Sequence, residues 1–158
     1  MIKINRNITP GDYTLVDIFD GLKEVAILIQ VFKTREELDD VFLKTKVIVE
    51  ESDHYMYVKN NDASIVIGFQ HLQNSDSKIL YLDIIHELVH VMQQRQGLDL
   101  YDKSYAYVDR PTEIEAYEIA VLEAKNLGMN KEEILDYLLV EWITTEEHKR
   151  LASRVGLF

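Results

Sequence analysis

Five residues, His86-Glu87-Leu88-Val89-His90, constrain this chain more than any other stretch. They match the pattern H-E-x-x-H. On an α-helix, positions i and i+4 lie about 40° apart and one turn up. His86 and His90 therefore point the same way and can grip one metal ion through their imidazole nitrogens. Glu87 lies about 100° round from His86, close enough to reach a water beside that metal without binding the metal itself. Two imidazoles plus a third hard or borderline ligand suit zinc, with a fourth position left for water. Zinc makes such a water more acidic, and a neighbouring carboxylate takes the proton.

The surrounding residues predict a helix from about Ser77 to about Gln96. It is apolar over most of its circumference, through Leu80, Leu82, Ile84, Ile85, Leu88, Val89, Val91 and Met92. One stripe is polar, formed by Asp83, His86, Glu87, His90, Gln93 and Gln94. A helix apolar nearly all round is a buried one, so the stripe is expected to face an internal cleft.

Two histidines do not complete a catalytic zinc site. One known extension, HExxHxxGxxH, is closed here because Gln93 and Gln96 occupy its key positions. The chain has no cysteine, so a transition metal must be held by His, Asp or Glu. The next source is a helix opened by Pro111, which suits a first helical turn. It offers Glu113, Glu115 and Glu118. At about 100° per residue, Glu113 falls in the middle of a face made by Ile114, Ala116, Tyr117, Ala120, Val121, Ala124 and Leu127. Glu115 and Glu118 fall opposite, with Lys125 and Asn126. A carboxylate on an apolar face is costly unless paired or bound to a metal. The small residues Ala116, Ala120 and Ala124 would let another helix come close. Glu113 is therefore the expected third ligand.

The 158 residues suffice for one domain with a real core. A net charge of −11 argues against nucleic acid or an anionic membrane as partner. Met1 to Asp12 is polar, and the apolar run Val25 to Phe32 is too short to span a bilayer. With no cysteine, these features predict a soluble cytoplasmic protein.

Along the chain, Ile2, Ile4 and Ile8 suggest a short strand or ordered arm, and Pro10-Gly11 a turn. Tyr13 to Phe32 recurs at helical spacing, with Val16, Phe19, Leu22, Val25, Ala26 and Ile29 on one side. Thr34-Arg35-Glu36-Glu37 reads as a capping box for a helix carrying Leu38, Val41 and Phe42. Lys46 to Glu50, His54 to Lys59 and Ala63 to Gln70 read as three strands joined by antiparallel hairpins, with His71 just after the last. Gly97 and Gly128 suit helix ends, and Asn130 and Thr144 suit helix starts. The expected class is α+β: a small antiparallel or mixed sheet of about three strands packed on the HELVH helix, with further helices from the C-terminal half. One unit spans 1–158, the sheet and HELVH helix in 1–96 and the glutamate and C-terminal helices in 97–158.

HELVH followed by Glu113-Ile114-Glu115-Ala116-Tyr117 resembles the gluzincin metallopeptidases, whose hallmark is HExxH plus a glutamate on a downstream helix. The resemblance covers about Lys78 to Leu127. Size and element order are similar to the small soluble minigluzincins. Ala116 matches the small residue three positions after the glutamate. Tyr117 departs from the Asp or Asn usual at the fourth. The resemblance implies a zincin-like fold and zinc-dependent hydrolysis of a peptide or protein substrate. His86, His90 and Glu113 would hold the metal, and Glu87 would act as general base. Tyr101, Tyr105, Tyr107, Tyr117, Arg110 and His148 are candidates to stabilise an oxyanion. A peptide would add along the Ala63 to Gln70 strand. Thr144 to Phe158 is the candidate self-blocking segment. The competing reading is a non-catalytic module in which zinc only staples two helices.

Overall fold

The computed structural model describes residues 2–158. The chain begins with β1 (Lys3–Ile4), β2 (Gly11–Thr14), the one-turn helix α1 (Leu15–Ile18), β3 (Phe19–Asp20) and a 3-10 turn over Leu22–Glu24. Helices α2 (Ala26–Phe32) and α3 (Arg35–Lys44) lead into β4 (Lys46–Glu50), β5 (Met56–Val58) and β6 (Ile65–Gly68). The rest is helical: α4 (Phe69–Asn74), α5 (Ser77–Arg95), a 3-10 turn over Tyr107–Asp109, α6 (Pro111–Asn126), α7 (Lys131–Leu138) and α8 (Thr145–Arg154). The class is α+β. Among the described residues there is a two-stranded sheet, β1-β3, and a four-stranded sheet in the order β2-β4-β6-β5.

The helix expected over Tyr13 to Phe32 does not form as one piece. Gly21 sits at φ 88°, a left-handed value that suits glycine, and it turns the chain after β3. The backbone before it pairs as strand instead, Lys3 with Asp20 and Ile4 with Phe19. The apolar residues then pack in a different phase. Leu15, Ile18, Leu22, Leu28 and Val31 are buried, whereas Val16 and Ile29 are exposed.

The sheet also differs from a run of hairpins. β4 and β6 are parallel, with Val47 opposite Ile65 and Val49 opposite Ile67. β5 pairs with β6 alone, antiparallel, with Tyr57 opposite Val66. The reason lies in burial: all four residues of β6 are buried, and a strand apolar on both faces takes a central position. β5 is left at the edge. The fourth strand, β2, pairs antiparallel with β4; its Gly-Asp-Tyr-Thr sequence carries no apolar alternation that would announce it. The strand expected over Ala63 to Gln70 ends at Gly68, and α4 begins at once, placing His71 on a helix.

Helix α5 runs through the core. From Leu80 to Val91 every residue but Asp83 is buried. Asp76 starts it by accepting a hydrogen bond from the Lys78 amide at 2.8 Å. Gly97 follows it at φ 84°. The face of α6 predicted to pack closely does so: Ala116, Ala120 and Ala124 are fully buried, and α5 is the helix against it. A second link between the two helices was not legible beforehand. Glu123 is buried, accepts from the Tyr81 hydroxyl, and accepts from Asn126 Nδ2 at 2.9 Å. No helix among the described residues is long and apolar enough to cross a membrane.

The edge strand is seated by one close approach. The Gly68 amide donates to the Tyr55 carbonyl at 2.8 Å. A Cβ at Gly68 would lie 1.9 Å from the His54 carbonyl oxygen, a clash with backbone that no rotamer relieves. Gly68→Ala is therefore expected to cost about 2 kcal/mol or more in a urea titration, by forcing the 54–57 segment off the sheet. Gly97→Ala meets nothing within 4 Å and should cost only about 1 kcal/mol, for its left-handed φ. Equal midpoints for wild type and Gly68→Ala would contradict this account.

Candidate metal centre and cleft

α5 presents His86 and His90 on one face, and the first turn of α6 brings Glu113 to meet them. His86 Nε2 lies 3.0 Å from Glu113 Oε1, His90 Nε2 lies 3.1 Å from the same oxygen, and the two Nε2 atoms are 3.1 Å apart. All three side chains are buried. The sequence prediction for Glu113 rested on its place in an apolar face, and that is where the fold uses it. Glu115 is exposed and Glu118 likewise. A tetrahedral zinc ion with bonds of about 2.0–2.1 Å sets its ligand atoms about 3.3 Å apart. The observed triangle is only slightly tighter, and its oxygen and nitrogen donors suit that ion.

Glu87 belongs to the same buried cluster. One ligand atom each from His86, Glu87 and His90 lies within 4.8 Å of the others, so this group could hold a metal ion. The two carboxylates differ in their bonding. Glu113 bonds both imidazoles, whereas the Glu87 carboxylate makes no hydrogen bond among the described residues and faces the cleft.

Burial dominates the electrostatics. It pushes the Glu87 carboxyl well above its ordinary range, with the Glu113 charge adding to the effect and His90 opposing it. Burial also acts against a charge on His90, but the Glu113 carboxylate and its hydrogen bond outweigh it and raise the imidazole to about 9. His86 is lowered, first by burial. Glu113 is held well below the usual carboxylate range: the two imidazoles overcome a burial effect that would raise it. Without a metal, one proton on His90 supplies the positive charge that this centre demands.

The residues behind the centre decide which imidazole nitrogen faces it. Gln93 Nε2 donates to the Thr112 carbonyl at 3.0 Å and to Glu115 Oε1 at 2.8 Å. That leaves Gln93 Oε1 to accept from His90 Nδ1–H at 2.8 Å, so Nε2 turns inward. His86 has no such partner, and its Nδ1 is buried without a hydrogen bond. Tyr117 instead lays its ring against the His86 ring, centroids 4.2 Å apart. Tyr117 thus supports His86 by ring packing rather than by a hydrogen bond.

The oxyanion candidates separate. Tyr101 spends its hydroxyl on the Val58 carbonyl, and His148 donates to the Leu135 carbonyl at 2.8 Å. Arg110 reaches the Asp102 carbonyl and stands 3.8 Å from Glu113 Oε2. Tyr105 is exposed and outside the cleft. Tyr107 lines the cleft beside both His86 and Glu87, with its hydroxyl 2.7 Å from that of Tyr117. In such a pair one hydroxyl proton remains free to donate. Nothing from Thr144 to Phe158 lines the cleft; α8 is tied to Asp109 through Arg150 and Arg154. The part of the C-terminal region at the cleft is Leu139–Trp142.

His71 is not at the centre. Its Nε2–H donates to Asp83 Oδ2 and its Nδ1 accepts from the Ser75 hydroxyl, each at 2.7 Å. Asp83, one turn before His86, was visible in the sequence only as part of the polar stripe; its role needed the fold.

The sign of the pH dependence follows. His90, at about 9 in the folded protein, lies above the ordinary histidine value of 6.5. Its contribution to stability is full below about pH 6.5 and is lost as pH rises through about 9. Glu87, also raised, acts in the same direction. Without metal, the melting temperature should fall between pH 7 and 9.5, and with saturating zinc it should not follow. Zinc binding at pH 7.5 should release protons, read by calorimetry in two buffers of different ionisation enthalpy. A flat melting profile without metal would remove the shared proton.

No protein-family model, curated protein or solved structure matches this chain.

Proposed function

We propose that the chain is a zinc-dependent endopeptidase of the gluzincin type, on a zincin-like α+β scaffold. The observation that carries this reading is the triangle of His86 Nε2, His90 Nε2 and Glu113 Oε1 with Glu87 unbonded beside it at a cleft. Two imidazoles, one glutamate and an open position are the donor set of catalytic rather than structural zinc. Bound there, zinc would supply a Lewis acid that acidifies a water and polarises a peptide carbonyl.

The protein's own groups account for the rest. Glu87 takes the proton of the attacking water and returns it to the nitrogen of the departing amine. Its burial favours the protonated form, which suits the second half of that shuttle. The Tyr107–Tyr117 pair offers an O–H to the carbonyl oxygen as it gains charge. The edge strand β5 and the residues before it, His54 to Tyr57, line the cleft. A peptide lies along β5, not along the internal β6 as the sequence suggested. The absence of cysteine and the acidic charge fit a cytoplasmic enzyme.

A zinc staple is the competing reading. It is disfavoured because α5 and α6 are already joined by the alanine face and the Tyr81–Glu123 bond, and because a staple has no use for Glu87. Zinc removal should therefore abolish hydrolysis while the far-ultraviolet circular dichroism stays native; loss of the helical signal would favour the staple.

Glu87→Gln should keep one zinc per chain and lose about 10²–10⁴-fold in hydrolysis of casein or a mixed peptide library. Tyr107→Phe should lower kcat by about 10²-fold with little change in zinc affinity. Undiminished turnover by Glu87→Gln would reject the base and the peptidase with it.

A further inference from the structure

Beside the metal centre a second space opens past Glu87. It is a cavity of about 200 Å³ that opens to solvent. Tyr55, Met56, His86, Glu87, Tyr107 and Trp142 are shared with the cleft at the metal centre, so the two spaces are continuous. The rest of its wall comes from α5, α6, α7 and the segment after α7.

Two features of this wall define what fits. The first is charge. Asp83 and Asp136 line it, and no lysine or arginine does. Asp83 is 21% exposed, so its carboxylate keeps contact with the space. Its partner His71 holds Asp83 Oδ2 at 2.7 Å and is itself held by Ser75, so the direction of Asp83 is fixed. Arg110 stacks on Tyr101 and Tyr107, 6.0 and 5.9 Å from their ring centroids, and is not part of this wall. The second feature is aromatic. Trp142 packs edge-on against Tyr107, centroids 5.5 Å apart, and tilted against Tyr55 at 5.6 Å. Tyr117 and Tyr137 line the space further in. Aromatic faces and carboxylates together attract a cation on an apolar stem, and the same carboxylates repel an acidic side chain.

We propose that this space is the side-chain pocket of the enzyme and takes a lysine or arginine side chain of the peptide substrate. The assignment rests on the peptidase reading for its substrate and deepens it to peptides with a basic residue next to the cleaved bond. The alkyl stem lies along the aromatic wall that Trp142 and Tyr107 form together, and the charged end meets Asp83 as a charge-assisted hydrogen bond. Asp83 is a specificity residue here, outside the proton shuttle.

The chain has a single tryptophan, so the emission of Trp142 reports on the pocket directly. Zinc-loaded protein is titrated with Nα-acetyl-argininamide and with its citrulline counterpart, equal in size but uncharged. A saturable change with arginine, at least about tenfold weaker with citrulline, is expected. Asp83→Asn, which can still accept from His71, should erase the difference. Equal binding of both compounds by the wild-type protein, or no binding of either, would overturn the pocket whatever the variant does. A fluorogenic peptide library read alongside separates the two claims. Cleavage without preference for a basic residue overturns the pocket and leaves the peptidase. Selective binding of arginine without cleavage of any peptide supports the pocket and counts against the peptidase.

Discussion

The burial of four ionisable side chains between two helices is the constraint on which the rest of this structure depends. His86, Glu87, His90 and Glu113 are each at least nine-tenths removed from water. An isolated charge in such a place is worth several kcal/mol against folding. It is tolerable only because the groups answer one another: Glu113 supplies the negative charge, and a proton or a metal ion supplies the positive one. The site is thus a socket for a cation before it is anything else. The alanine face of α6 lets the helices approach closely enough for the socket to close, and Gln93 holds one imidazole in register from behind.

The sheet matters to the site through its edge. Because β6 is apolar on both faces and takes the interior, β5 is displaced outward, and the residues leading into it run along the cleft. Gly68 is the hinge of that arrangement: only a residue without a Cβ allows the His54 carbonyl so close. The cleft therefore has an edge strand on one side and tyrosines on the other, which on the proposed reading would take an extended chain.

Asp83 shows how one helix serves two purposes. It lies three residues before His86, so it shares the polar stripe but looks into the neighbouring space. The chain of Ser75, His71 and Asp83 fixes its direction. The acidic cleft and the acidic surface carry the same sign. On the proposed reading they would favour basic peptides both at encounter and in the bound complex.

The local elements of the site were legible in the amino-acid order because helical periodicity is a local property. His86 and His90 had to share a face, Glu87 had to sit beside them, and Glu113 had to project from the apolar side of its helix. The caps at Asn130 and Thr144 were legible for the same reason. The left-handed turn at Gly21 was not legible, since a glycine at helical spacing looks alike in a helix and in a break. β2 lacked any pattern of its own and exists through its partner β4. Strand order, the exposed edge, the pairing of His71 with Asp83, the buried Glu123 and the position of Leu139–Trp142 all depend on contacts between residues far apart along the chain. Such contacts are decided by which surfaces compete for the core. The sequence determined which side chains each helix would offer; only the tertiary structure decided which of them meet, because the cost of burying charge is settled by neighbours that no local period encodes.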